Sequence, residues 1–140
     1  MNAVGLVDKV QNLYAAFDKG DIATIIMALA PEIDWRVNID ASLAGADHPL
    51  FRQYFRAADV PGFFEGLMTS FEPKGMQVRG IATTLDGHGV LVLLTESYVV
   101  RKTGKPVTFD TCHHWTFDDA AKVVAWRGYT DSAAELASLR

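Results

Sequence analysis

Glu96, His113 and Trp126 are the side chains of this 140-residue chain best placed for chemistry, because the segment that carries them reads as two antiparallel hairpins. The turns are Thr103-Gly104-Lys105-Pro106 and Asp118-Asp119-Ala120-Ala121, each flanked by residues that favour strands. Pairing Thr103 with Pro106 sets Tyr98 opposite Thr111 and Glu96 opposite His113. Pairing Phe117 with Lys122 sets His113 opposite Trp126 and Trp115 opposite Val124. All then share one face of a sheet, and a slip of one residue would turn each of them to the other face.

A histidine between a carboxylate and an indole is a candidate general acid or base, since the carboxylate raises the imidazole pKa and the apolar wall lowers it. On this reading His113 transfers the proton, and Glu96 orients its ring and stabilises the imidazolium. Trp35, Tyr98, Phe109, Trp115 and Trp126 wall a pocket suited to a flat hydrophobic molecule. Tyr14 or Tyr54 donates a hydrogen bond to a substrate carbonyl. The matching chemistry is proton transfer beside a carbonyl, as in isomerisation, aldol-type cyclisation or dehydration, with no cofactor. The same pattern also fits a satisfied polar pair in a core, or a ligand site without chemistry.

Neighbouring residues narrow the choice. His113 and His114 are adjacent in a strand and point to opposite faces, so they cannot share a metal ion, and no metal site is expected. His48 and His88 have no partner at ligand spacing. Cys112 stands between Asp110 and His114 without a nucleophile turn or oxyanion hole, and reads as a small buried hydrophobe. Asp110, Cys112, His114, Arg127 and Tyr129 alternate onto the face away from the pocket.

Composition bounds the rest. With 49% hydrophobic and 21% charged residues the chain reads as a single globular domain over 1–140. No apolar run approaches the roughly 20 residues of a membrane span, and no secretory signal is expected at the N-terminus. A net charge of −4 without a basic stripe argues against nucleic acid. One cysteine, Cys112, makes no internal disulfide, and the expected location is the cytoplasm.

The elements that must position these residues follow from pattern. Val4, Val7, Val10, Leu13, Tyr14 and Phe17 form one helical stripe that ends at Lys19-Gly20-Asp21. Asp21 caps a second helix through Ala30, stopped by Pro31. Ile33 to Ile39 alternates as a strand. Residues 41–58, with Gly45, His48-Pro49, Phe51, Tyr54 and Phe55, read as a long loop with a helical turn. Asp59 and Pro61 open a third helix carrying Phe63, Phe64, Leu67, Met68 and Phe71. Met76 to Thr84 and Val90 to Arg101 are strands around Asp86-Gly87-His88-Gly89. Asp131 and Ser132 cap a last helix, Ala133 to Leu139. Three helices against a strongly bent antiparallel sheet make an α+β cone whose mouth can hold a ligand.

Four segments carry a family likeness: Tyr14-Ala15-Ala16-Phe17-Asp18-Lys19-Gly20-Asp21, the Trp35 strand, Val60 to Leu67, and His114-Trp115-Thr116-Phe117 through Trp126-Arg127-Gly128-Tyr129-Thr130-Asp131. With these the chain resembles the SnoaL-like, ketosteroid-isomerase-like branch of the nuclear transport factor 2-like superfamily over nearly its whole length. The resemblance implies a cystatin-like α+β barrel whose curved antiparallel sheet holds three helices on its concave side. It implies a homodimer through the outer sheet face and a small hydrophobic ligand. Activities in the family range from isomerases, cyclases, hydrolases and dehydratases to binding or assembly domains with a closed cone. The isomerase residues themselves do not carry over. The general-base aspartate falls at Val37, the tyrosine at Leu13 with Tyr14 one step on, and the protonated aspartate of the oxyanion hole at His113. No copy of the epoxide-hydrolase Asp-Arg-Asp set faces the cone.

Overall fold

The computed structural model describes residues 2–44 and 48–140, apart from the side chains of residues 3 and 4, so Gly45 and the Val4 side chain lie outside the described residues. Helix α1, Ala3–Asp18, starts where the Asn2 side chain accepts the Gly5 N–H at 2.9 Å. Leu6, Val10, Leu13 and Ala16 form its buried stripe. Gly20, at φ +72°, turns the chain into α2, Ile22–Met27, whose first turn is capped by Asp21 through the Thr24 N–H.

Helix α2 is shorter than the sequence suggests. Strand β1, Leu29–Val37, already contains Pro31, so this proline interrupts a strand rather than ending a helix. It sits where the pairing of β1 with its neighbour slips between Leu29 and Asp34, the kind of place where a missing N–H is tolerated. Residues 41–58 hold a four-residue helix α3, Ala41–Ala44, and a short edge strand β2, Tyr54–Arg56. A 3-10 turn over Ala57–Asp59 leads into α4, Pro61–Ser70, with Pro at its start. The loop packs tightly on α4, because a Cβ at Gly66 would sit 2.8 Å from Pro49 Cγ and 3.1 Å from the Leu50 backbone nitrogen.

Four long strands follow: β3 (Phe71–Thr83), β4 (Gly89–Val100), β5 (Pro106–Phe117) and β6 (Val123–Thr130). Helix α5, Ser132–Ser138, closes the chain and is capped by Asp131 through the Ala134 N–H. The sheet runs β2-β1-β6-β5-β4-β3, antiparallel except where β1 joins β6 in parallel. It is not closed, and β2 and β3 are its edges. Helices α1 and α4 lie on the concave face of this curved sheet, and their apolar stripes meet Val90, Val92, Leu94, Phe117 and Val123 in one core. Among the described residues no helix is long and apolar enough to cross a membrane.

Both hairpins differ in register from the simplest reading of their turns. Between β4 and β5 the loop is Arg101-Lys102-Thr103-Gly104, closed by Val100 and Lys105, with Gly104 at φ +70°. Tyr98 therefore stands opposite Val107, and Glu96 opposite Phe109, while His113 stands opposite Val92. Between β5 and β6 the turn carries Ala121 at φ 59° and the pairing shifts again between Thr116 and Phe117, which sets His113 opposite Gly128 and Trp115 opposite Trp126. At Glu96, His113 and Trp115 each slip is an even number of residues, so these side chains keep their expected face and change only their cross-strand neighbours.

Candidate active site

Tyr14, Trp35, Glu96, Tyr98, His113, Trp115 and Trp126 all line one cavity between the concave sheet face and helices α1, α4 and α5. Its walls are otherwise Leu13, Phe17, Phe63, Phe64, Leu67 and Met76. The cavity has a volume of about 80 Å³. One water needs roughly 10–15 Å³, so the room suits a compact single-ring molecule.

The indoles form the floor. Trp35 stacks on Trp126 with centroids 4.4 Å apart, and Trp115 meets Trp35 edge-on at 5.9 Å. On this floor stands a hydrogen-bond chain from two strand residues to helix α1. Trp115 Nε1–H donates to Tyr14 Oη at 3.0 Å, and Tyr14 Oη lies 2.6 Å from His113 Nδ1. Among the described residues the Tyr14 hydroxyl has no other acceptor, so its proton is assigned to Nδ1, which leaves a neutral His113 with its own proton on Nε2. Burial holds the His113 pKa down at about 3, so the ring is uncharged at neutral pH. Burial likewise raises the Tyr14 phenol, against the indole hydrogen bond.

The expected contact of Glu96 with His113 is absent, because the four-residue loop moves Glu96 along β4 to face Phe109. Tyr14 orients the imidazole instead, and no carboxylate raises its pKa. Glu96 has other partners: Tyr98 Oη donates to its Oε1 at 2.8 Å and Thr111 Oγ1 to its Oε2 at 3.1 Å. Burial raises its pKa above the ordinary carboxylate range, and these two donors oppose the shift. The Tyr98 phenol is raised too, by burial and by the Glu96 charge.

Two residues expected at the ligand, the donor Tyr54 and the wall residue Phe109, fall outside the cavity lining. Tyr54 lies on edge strand β2, where its hydroxyl donates to the Pro49 carbonyl and its ring meets Phe63 edge-on. Phe109 is buried behind Tyr98 and against Phe71. In the other direction, Thr111, Thr130 and Glu135 line the cavity and had not been singled out from the sequence. Glu135 is the one with a legible signal: it lies beside Leu136 on the stripe that leads to Leu139, where an acid is out of place. The residue is 9% exposed, and burial, reinforced by the Glu96 charge, raises its pKa to about 8. On the outer face, burial raises the Cys112 thiol, which is the opposite of an activated nucleophile.

These features match those of known folds. The solved structure of an NTF2-like protein of unknown function from Burkholderia pseudomallei superposes with a TM-score of 0.80 at 20% identity, covering 99% of this chain and 98% of that one. An NTF2-like protein from Burkholderia thailandensis gives 0.78 at 23% identity, covering 100% and 98%. TerC, co-crystallised with polyporic acid, gives 0.77 at 22% identity, covering 96% and 97%. No curated protein matches the chain. The family model of the SnoaL-like domain matches residues 10–126, which span the helices, the indole floor and the His113 strand, and the chain belongs to that family.

Proposed function

We propose that this protein binds a small, largely apolar carbonyl compound in the cone and moves a proton on it, as an isomerase, cyclase or dehydratase without a cofactor. The observation that carries the reading is the Trp115–Tyr14–His113 chain, which leaves a neutral imidazole with its Nε2 proton free of any partner among the described residues. A neutral imidazole in an apolar site is a hydrogen-bond donor for a carbonyl oxygen as that oxygen gains charge. Glu96 supplies the base. Its carboxyl accepts the Thr111 hydroxyl, two positions along β5 from His113 and on the same strand face, and both residues line the cavity. A bound carbonyl oxygen would meet the imidazole N–H while the neighbouring C–H faced the carboxylate. Burial strengthens the base, and Tyr98 and Thr111 fix its orientation. TerC, which shares the fold, was co-crystallised with polyporic acid; the likeness at 22% identity extends to the fold alone.

The test is deuterium exchange at the carbon next to the carbonyl, followed by NMR with cyclohex-2-enone and acetophenone in D₂O. Wild type is expected to accelerate exchange, Glu96→Gln to lose about 10²–10⁴-fold, and His113→Phe to lose a smaller factor. Binding without exchange would reduce the site to a ligand pocket.

The outer sheet face favours a homodimer. Leu93 is 54% exposed and Tyr129 42% exposed, and both stand opposite Cys112 on the sheet face away from the cavity. Sedimentation velocity is expected to give a dimer for wild type and a monomer for Leu93→Glu. Unchanged sedimentation of that variant would move the interface elsewhere.

A further inference from the structure

Helix α5 buries an acid: of its residues only Glu135 is buried, and its Oε2 is enclosed without a hydrogen-bond partner among the described residues. A buried carboxyl with no donor is costly as an ion and acceptable as a neutral acid. Two further atoms of the cavity lining stand in the same condition, Trp35 Nε1 and Thr130 Oγ1. Glu96 is the contrast, since each of its oxygens accepts a hydroxyl hydrogen. Two carboxyls that interact in an apolar cavity do not both ionise, and the one with donors takes the charge. Glu135 therefore keeps its proton, and its O–H is available to whatever occupies the cavity.

We infer that Glu135 donates a hydrogen bond to an uncharged oxygen of the ligand, and so selects a neutral carbonyl compound over the carboxylate or amine of the same skeleton. The inference rests on the carbonyl reading of the cavity given above. A ligand carboxylate would bring a second negative charge beside Glu96. An ammonium group, although attracted to Glu96, has no lone pair to accept the Glu135 O–H and would leave that donor buried and unpaired. The other titratable groups facing Glu135 are Glu96 and Tyr98 on β4, with His113 on β5 and Tyr14 on α1 lining the same cavity. Behind α5, His48, Lys102 and Arg140 border a separate cleft with Leu136 and Leu139. The raised pKa of Glu135, about 8, agrees with this assignment.

All three tryptophans line the cavity, so intrinsic fluorescence reports binding directly. The probes are acetophenone, benzoate and benzylamine, titrated at neutral pH into wild type, Glu135→Gln and Glu135→Leu. Acetophenone is expected to bind wild type at least about tenfold more tightly than the two charged probes. Glu135→Gln, which keeps an N–H donor, is expected to stay within about threefold of wild type for acetophenone, and Glu135→Leu to weaken it about tenfold or more. The infrared difference between wild type and Glu135→Gln is expected to contain a carboxylic-acid carbonyl band at neutral pH that disappears above about pH 8. Equal or tighter binding of benzoate or benzylamine, unchanged acetophenone binding in Glu135→Leu, or absence of the acid band would each overturn the inference alone. If none of the probes binds wild type, the carbonyl reading of the cavity falls and takes this inference with it.

Discussion

Urea denaturation across the pH scale is expected to show greatest stability between about pH 4.5 and 6.5, with a fall on both sides. Two buried groups set those limits. His113 has an ordinary pKa of 6.5 and a folded value of about 3. Above pH 6.5 the ring is neutral in both states and its contribution is complete. Below that, the unfolded chain takes up a proton that the folded chain refuses, and stability falls toward acid. Glu135 runs the other way, from an ordinary 4.5 to about 8. Below pH 4.5 the acid is protonated in both states. As pH rises from 4.5 to 8 the unfolded chain releases the proton and the folded chain holds it, so stability is lost toward alkali. Each slope is about 1.4 kcal/mol per pH unit, and between the ordinary pKa values the two oppose and largely cancel. Glu96, raised in the same direction as Glu135, tilts the optimum toward acid. Glu135→Gln is expected to flatten the alkaline side without altering the acid side. A wild-type profile that climbs from pH 6.5 to 8 would contradict the burial of Glu135.

Tyr14→Phe is expected to lower stability by about 2–5 kcal/mol while leaving the packing nearly untouched. The lost hydroxyl is the partner of two buried groups, the Trp115 indole N–H and His113 Nδ1. Each orphaned group carries a desolvation penalty of about 1–3 kcal/mol. The ring itself remains, stacked on His113 with an interplanar angle of 13° and edge-on to Trp115, so little of the loss comes from a cavity. Nitrogen NMR of the imidazole gives a second readout: the neutral Nε2–H tautomer of wild type is expected to give way to a mixture once Nδ1 loses its donor. A change below about 0.5 kcal/mol with an unchanged tautomer would mean that Trp115 and His113 have other partners, and the donor role proposed for His113 would lose its support.

How far the chain could be read in advance depended on the range of the interactions. Helix α1 and the caps Asp21 and Asp131 are local, involving residues a few positions apart, and they stand as the sequence implies, although the buried stripe of α1 runs through Leu6, Val10, Leu13 and Ala16 rather than through Val7. The alternation of β5 is local as well, which is why His113 and Trp115 point into the cavity and Cys112 and His114 away from it. Helix α2 was overestimated because Ile25, Ile26 and Met27 are followed by Ala28-Leu29-Ala30, which suits either state. Only the pairing of Leu29 with Val123, from the far end of the chain, decides for strand.

The site itself mixes the two. Residue type and strand period alone determined that His113, Glu96 and the three tryptophans share one face of a bent sheet, because side-chain direction in a strand has a period of two and survives any even slip. Which of them touch was decided by tertiary structure. One four-residue loop and one shifted pairing reset the registers, helix α1 delivered Tyr14 to His113 from 99 positions away, and α5 brought Glu135 to Glu96. Such contacts depend on loop geometry and on where distant helices dock, and packing of the whole core fixes both.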